Sequence, residues 1–322
     1  MTETREADFV FNVVITPGTF RFLQLFTRSL IAQSRVRLRL VSNGCPADEL
    51  QLMRELAADH APRLDVVQLS SPTMVQHGAA LDEIYAACDD GEHFCFVDSD
   101  VKAKRPFMDM FLEQLRRADV VTSCNVAWSD DKILTPGIPD LVGRHAVGHD
   151  GFVYGTSYLA MYRRAAVDRV RQGWDVTFRA YAYDKLSPLV QGRLAEMGRV
   201  FGLYDTAKVL NILVQGDGFV LTHVENPALV HVGGISQYLS DPGVRRGGSG
   251  ARASGSGASG EAAVPWFAAS GAGRERWDFA QWAAATLRSI VDREPAPDLP
   301  DEPVQRLRAT EVQRELLDLA GH

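Results

Sequence analysis

The 322-residue sequence has no apolar run near the ~18 residues that a membrane-spanning helix needs, so no membrane span is expected. Cysteine is scarce. Cys45, Cys88, Cys95 and Cys124 share no paired spacing, and Cys95 falls inside an apolar run. That argues against a disulfide framework or a zinc knuckle, and reduced thiols are expected. Basic charge is not in excess: 34 Lys and Arg against 41 Asp and Glu leave a net charge of -7. A general nucleic-acid or polybasic membrane-binding role is therefore disfavoured. No GxxxxGK[ST] phosphate loop occurs. The turn after the first apolar run reads Thr16-Pro17-Gly18-Thr19-Phe20, not the GxGxxG of a dinucleotide site. His145 and His149 have helical metal spacing, but Gly143 and Gly148 place them in a loop. Residues 1–8 carry no apolar signal core, and a cytoplasmic chain is expected.

What the chain does have is alternation of short apolar runs with amphipathic stretches. Phe9 to Ile15 reads as a strand broken by Pro17-Gly18, and Phe22, Leu23, Phe26, Leu30 and Ile31 form a helical stripe. Strands are expected again at 36–41 and 64–69, with helices at 47–59 and 78–87. This βαβαβ order predicts an α/β domain, a mostly parallel sheet covered by helices, with a crevice above its strand ends. Further on, a helix is expected at 106–117, strands at 118–123, 152–162, 219–223 and 228–232, and helices at 163–171 and 205–214. Residues 125–150, rich in Gly and Pro, predict a long loop. Its Trp128 stands either in the wall of a substrate pocket or packed beneath a surface excursion. Composition divides the chain into a domain over 1–239, with halves 1–123 and 124–239, a Gly/Ser-rich flexible linker over 240–262, and a helical C-terminal extension over 263–322. Arg245, Arg246 and Arg252 in the linker suit either a plain tether or a lid.

The focus of the pattern is Phe94-Cys95-Phe96-Val97-Asp98-Ser99-Asp100. A buried strand delivers two acids where it stops, and ligands of open α/β sheets gather at strand carboxyl ends. Asp98 and Asp100 present their oxygens together only if the chain turns there, an arrangement suited to a hard divalent cation bridging to phosphate. The other reading is a strand-end turn with solvated acids.

This run, following a βαβ half, resembles the DxD motif of GT-A-fold glycosyltransferases, and further pieces fall in that family's order over residues 9–238. Gly78-Ala79-Ala80-Leu81-Asp82 resembles a nucleotide-contacting helix start. Gly155-Thr156 with Tyr162-Arg163-Arg164 is similar to the acceptor-side strand and its basic turn. Tyr204-Asp205 occupies the slot of the Glu-Asp pair of inverting, family-2-like members, with Tyr204 in place of Glu. His231-Val232-Gly233-Gly234 resembles the late His that adds a metal contact, while Gln237 stands where some retaining members carry Lys.

The resemblance implies a metal-dependent enzyme that moves a sugar from a nucleoside-diphosphate sugar to an acceptor hydroxyl, with inversion. Asp98, Asp100 and His231 would hold Mn²⁺ or Mg²⁺. Asp205 would act as general base, or serve as a helix cap. Thr16, Pro17, Gly18, Asn43, His77, Asp82, Asp98 and Ser99 would meet the nucleotide sugar. Trp128, Gly155, Thr156 and Tyr204 would stand on the acceptor side. A non-catalytic sugar-nucleotide-binding or scaffold protein with the same fold is the rival, and donor turnover separates the two. Donor base, sugar, acceptor and oligomeric state are not legible.

Overall fold

A computed structural model describes residues 5–239 and 271–321; the expected linker and its three arginines lie outside the described residues. The strands are β1 Val10–Ile15, β2 Arg37–Ser42, β3 Leu64–Gln68, β4 His93–Val97, β5 Val101–Ala103, β6 Val120–Ser123, β7 Ile133–Leu134, β8 Asp140–Leu141, β9 Val147–Gly148, β10 Leu159–Arg163, β11 Tyr181–Ala182, β12 Leu203–Tyr204, β13 Leu221–Val224 and β14 Leu229–His231. The helices are α1 Phe20–Ala32, α2 Ala47–Asp59, α3 His77–Ala87, α4 Met108–Leu115, α5 Arg164–Trp174, α6 Pro188–Glu196, α7 Lys208–Gly216, α8 Ser236–Leu239, α9 Gly271–Asp292 and α10 Pro303–Ala320.

Seven strands form the central sheet in the order β13-β6-β10-β4-β1-β2-β3. All its pairings are parallel except those of β10, which runs antiparallel to both β4 and β6. The mostly parallel, helix-covered α/β sheet is thus present, with one reversed strand in the middle. β1 and β4 are buried on both faces because helices cover both; Phe11, Val13, Phe94 and Phe96 are sealed in, and the one polar residue inside β1, Asn12, donates to the Cys95 carbonyl of β4. From β1 the chain moves outward through β2 and β3, then returns to place β4 on the other side of β1. That reversal opens the crevice above the carboxyl ends of β1 and β4.

The expected strand over 152–162 is shorter than its apolar run. Tyr154 and Gly155 both donate backbone N–H groups to the Ala146 carbonyl, and Gly155 takes φ +65°, which turns the segment away from the sheet until Leu159. The helix expected from Asp205 begins at Lys208, because Ala207 adopts a left-handed conformation with φ 64°. α7 itself is buried all round, as its apolar sequence requires.

The C-terminal helices pack on the domain. Phe279, Trp282, Leu287, Val312, Leu316 and Leu319 share one core with Phe22, Leu23 and Phe26 of α1 and with Trp128, Val232 and Ile235. Polar clamps add to this: Arg21 pairs with Asp292, and Arg308 donates to the Trp128 carbonyl and to Asp130 (both 2.7 Å). No helix among the described residues is long and apolar enough to cross a membrane.

Candidate metal and nucleotide-sugar site

β4 ends at Val97, and the next three residues turn into β5, which pairs antiparallel with β14, setting Val101 opposite His231. This pairing carries the late histidine to the two acids. His231 Nε2 lies 3.0 Å from Asp100 Oδ1 and 3.5 Å from Asp98 Oδ2. One ligand atom from each of the three residues falls within 4.8 Å of the others. Asp100 and His231 are buried, whereas Asp98 keeps 26% of its side chain open to the crevice. Burial alone would push the Asp100 carboxyl up. The His231 charge and hydrogen bond, with the Ile235 N–H, outweigh it and hold Asp100 below its ordinary range. Two carboxylates and one imidazole, converging with one acid partly exposed, suit a Mn²⁺-class cation. The arrangement fits a GT-A, DxD-type site.

Around this centre the crevice walls come from distant segments. His77, at the start of α3, places Nε2 4.0 Å from Asp98 Oδ1. Burial pushes the His77 imidazole down to about 4, with the Asp205 charge opposing, so at neutral pH the contact with Asp98 is not an ion pair. Asp205 lies near enough for its charge to act on His77. Its Oδ2 accepts the Gly143 N–H and its Oδ1 the Thr206 N–H (both 2.8 Å), and Gly143 is approached closely by the Ser157 and Tyr158 hydroxyls. Tyr158 links this group to the acids' histidine, for its ring packs on His231 with centroids 4.3 Å apart. Its carbonyl accepts the Asp98 N–H at 2.7 Å.

Several residues expected to face substrate are engaged elsewhere. Gly18 N–H donates to Glu49 Oε2 (2.8 Å) and Phe20 N–H to Glu49 Oε1 (2.6 Å), so Glu49 of α2 caps α1 and occupies that amide. Thr16 and Pro17 form the turn leading there, and Thr19 Oγ1 donates to the Thr16 carbonyl. Asn43 is 1% exposed, and both ends of its amide pair with the Val75 backbone. Asp82 accepts the Phe178 N–H and pairs with Arg171 and Arg179, pinning α3 in place. Ser99 is buried between the acids. On the acceptor side, Thr156 donates to the Ser123 carbonyl, Gly155 lies against Thr122, and Tyr204 is fully buried with its hydroxyl donating to the Arg199 carbonyl. Trp128 is core, with Arg144 over its ring. A cavity of about 460 Å³ opens between residues 125–132, β14 and α10, and its lining includes His231 but neither acid.

Gly78 explains how His77 reaches the crevice. A Cβ there would stand 2.4 Å from the Phe178 carbonyl oxygen and 2.6 Å from Arg179 Cα, both backbone atoms. Gly78→Ala is therefore expected to destabilise the chain by about 1–3 kcal/mol, as overpacking does. Urea unfolding measures this, and an unchanged midpoint would refute it.

No family model and no curated protein matches the chain. Among solved structures it is similar to the mannosyltransferase PcManGT of Pyrobaculum calidifontis, in complex with GDP-Man and Mn²⁺, at 12% identity and TM-score 0.41, covering 99% of this chain and 74% of that one. It is also similar to S. aureus TarS 1-349 in complex with UDP-GlcNAc, at 17% identity and TM-score 0.35, covering 67% and 58% respectively. A putative glucose-1-phosphate thymidylyltransferase of Bacillus anthracis gives 9% identity and TM-score 0.39, covering 67% and 87%. Likenesses this distant carry no argument about activity, which must come from the site itself.

Proposed function

We propose that the chain is a metal-dependent glycosyltransferase that moves a sugar from a nucleoside-diphosphate sugar to an acceptor hydroxyl with inversion. The observation that carries this reading is the convergence of Asp98, Asp100 and His231 at the strand-end crevice. Those residues would hold Mn²⁺ or Mg²⁺, and a divalent cation bound there supplies charge neutralisation to the leaving diphosphate. Asp98, the more open acid, faces the donor, and the His77 imidazole stays neutral beside it.

Across the crevice the Asp205 carboxylate takes the acceptor's proton. The acceptor oxygen forms a bond to the anomeric carbon as the bond from that carbon to the phosphate oxygen breaks. The electron pair leaves with the nucleoside diphosphate. Asp205 suits the role because it is held by two N–H groups yet remains half-buried, not sealed in the core. It does not cap α7 with its side chain; that reading of its position yields to the Gly143 contact.

Asp205→Asn is expected to lower turnover by about 10²–10⁴-fold, the usual worth of a general base, while donor binding persists. Diphosphate release from nucleotide sugars, measured beside donor affinity, checks this. Near-normal turnover in a folded Asp205→Asn protein would sink the base assignment.

A further inference from the structure

Lys208 opens α7 and is completely buried, in a helix whose other residues through Val214 are apolar except Asn211. An ammonium in a core costs free energy that an apolar side chain of similar size would not. Among the described residues no carboxylate forms an ion pair with it. Instead Nζ donates to the carbonyls of Gly143 (3.2 Å), His145 (2.7 Å) and Gly155. Three acceptors match the three protons of an ammonium, and a neutral amine would leave one carbonyl without a donor.

The Gly143 carbonyl is the telling partner. The same residue gives its N–H to Asp205 Oδ2, and the Lys208 N–H donates to the Asp205 carbonyl at 3.0 Å. Asp205 and Lys208 thus leave one tight turn, kept tight by the left-handed Ala207, and grip Gly143 from its two ends. There is little slack, for a Cβ on Gly143 would stand 2.9 Å from Asp205 Oδ2 and from Ser157 Oγ.

We propose that Lys208 is a positioning residue for the transfer step: by holding the Gly143 carbonyl it fixes the N–H that aims the Asp205 carboxylate at the acceptor. The inference rests on the reading of Asp205 as base. Burial pushes Lys208 down to about 7, with the Asp205 charge opposing. The imidazoles of His145 and His223 nearby are themselves pushed down by burial, to about 3 and about 4, and add no competing positive charge at neutral pH.

The test uses the full chain, with Mn²⁺ and UDP-GlcNAc or GDP-mannose as probes. Lys208→Met, close in volume, is expected to lower kcat for diphosphate release about tenfold to hundredfold, the cost of a small misplacement, with donor KM within about twofold. Amide exchange over residues 142–146 should quicken about tenfold as the grip is lost. Asn211→Leu is the packing control. It removes bonds to Tyr154 and Tyr162 from the same helix but touches neither Gly143 nor Asp205, and it should keep turnover. Gly143→Ala displaces the carboxylate directly and should reproduce the kcat loss even if Lys208→Met folds poorly.

The proposal is overturned, with the base reading intact, if Asp205→Asn loses turnover while Lys208→Met or Gly143→Ala keeps it. Equal kcat losses in Lys208→Met and Asn211→Leu would mark a merely structural role. If Asp205→Asn also keeps turnover, the base reading fails and the proposal with it. A wild-type chain that turns over neither probe overturns that reading for those donors, and exchange at 142–146 then decides the Lys208 contact alone.

Discussion

On the proposed metal-dependent transfer, Asp100→Asn is expected to fold and to lose at least ~10³-fold in transfer rate, because a cation there would supply several kcal/mol of charge stabilisation at the leaving diphosphate. Asn keeps the shape of Asp100 and one oxygen for the Ile235 N–H, so the β5–β14 pairing should survive. What it loses is the charge, at the one acid of the pair that is sealed from solvent and held below its ordinary range. Asp98→Asn should cost less, since its side chain is partly solvated. Asp100→Ala would take one partner from His231 Nε2, which keeps Asp98 Oδ2 at 3.5 Å, and the partner of the Ile235 N–H, and lose about 1–3 kcal/mol of stability besides. Initial rates with a nucleotide sugar, set beside melting curves, separate the two effects. A folded Asp100→Asn protein within tenfold of wild type would contradict the metal site.

Lys102→Ala is expected to destabilise the whole chain by about 2–3 kcal/mol. Lys102 lies two residues beyond Asp100 on β5 and is 2% exposed. Its Nζ donates to Glu315 Oε2 (2.8 Å), Asp318 Oδ2 (2.6 Å) and the Glu315 carbonyl (2.9 Å) of α10. Removing it takes the buried ammonium away from Glu315, 16% exposed and 4.0 Å from Arg314, and from the half-solvated Asp318. Breaking a fully buried pair costs about 3–5 kcal/mol, and the partial solvation of Asp318 moves the figure down. Because β5 carries the Asp98–Asp100 turn and pairs with His231, the same substitution should weaken metal affinity without touching a ligand. Urea unfolding and Mn²⁺ titration read the two effects. A stability change under about 0.5 kcal/mol would show that α10 is dispensable to the site.

The parts of this architecture that could be read from the sequence are those with a local cause. α1 is legible from its apolar stripe, β1 and β4 from their apolar runs, and the Asp98/Asp100 turn from acids arriving at a strand end. α6 is marked in the sequence by Ser187 as cap and Pro188 in the first turn, but its apolar pattern is too weak to predict a helix there. The reversed strand β10 was not legible as such, since strand direction follows from where the preceding loop delivers the chain. The site's second layer was least legible. Tyr158, Gly143 and Lys208 meet Asp205 and His231 through contacts distant in sequence, 62 residues apart for Gly143 and Asp205 and farther still for Tyr158 and His231. A lysine opening an apolar helix looks like an exposed helix start until the loop folds over it. Asn43 and Gly18 show the converse: residue types suited to a nucleotide are also suited to holding turns together, and here they pair with Val75 and Glu49.

The central claim is that Asp98, Asp100 and His231 hold a cation that in turn holds a nucleoside diphosphate. Calorimetric titration of UDP, GDP and dTDP into the protein, with and without Mn²⁺ and repeated on Asp100→Asn, tests it most directly. The account predicts that one nucleotide binds in the presence of Mn²⁺, at least tenfold more weakly without it, and not measurably to the variant. Binding that is indifferent to Mn²⁺ and to Asp100, or absent for every nucleotide, would contradict it.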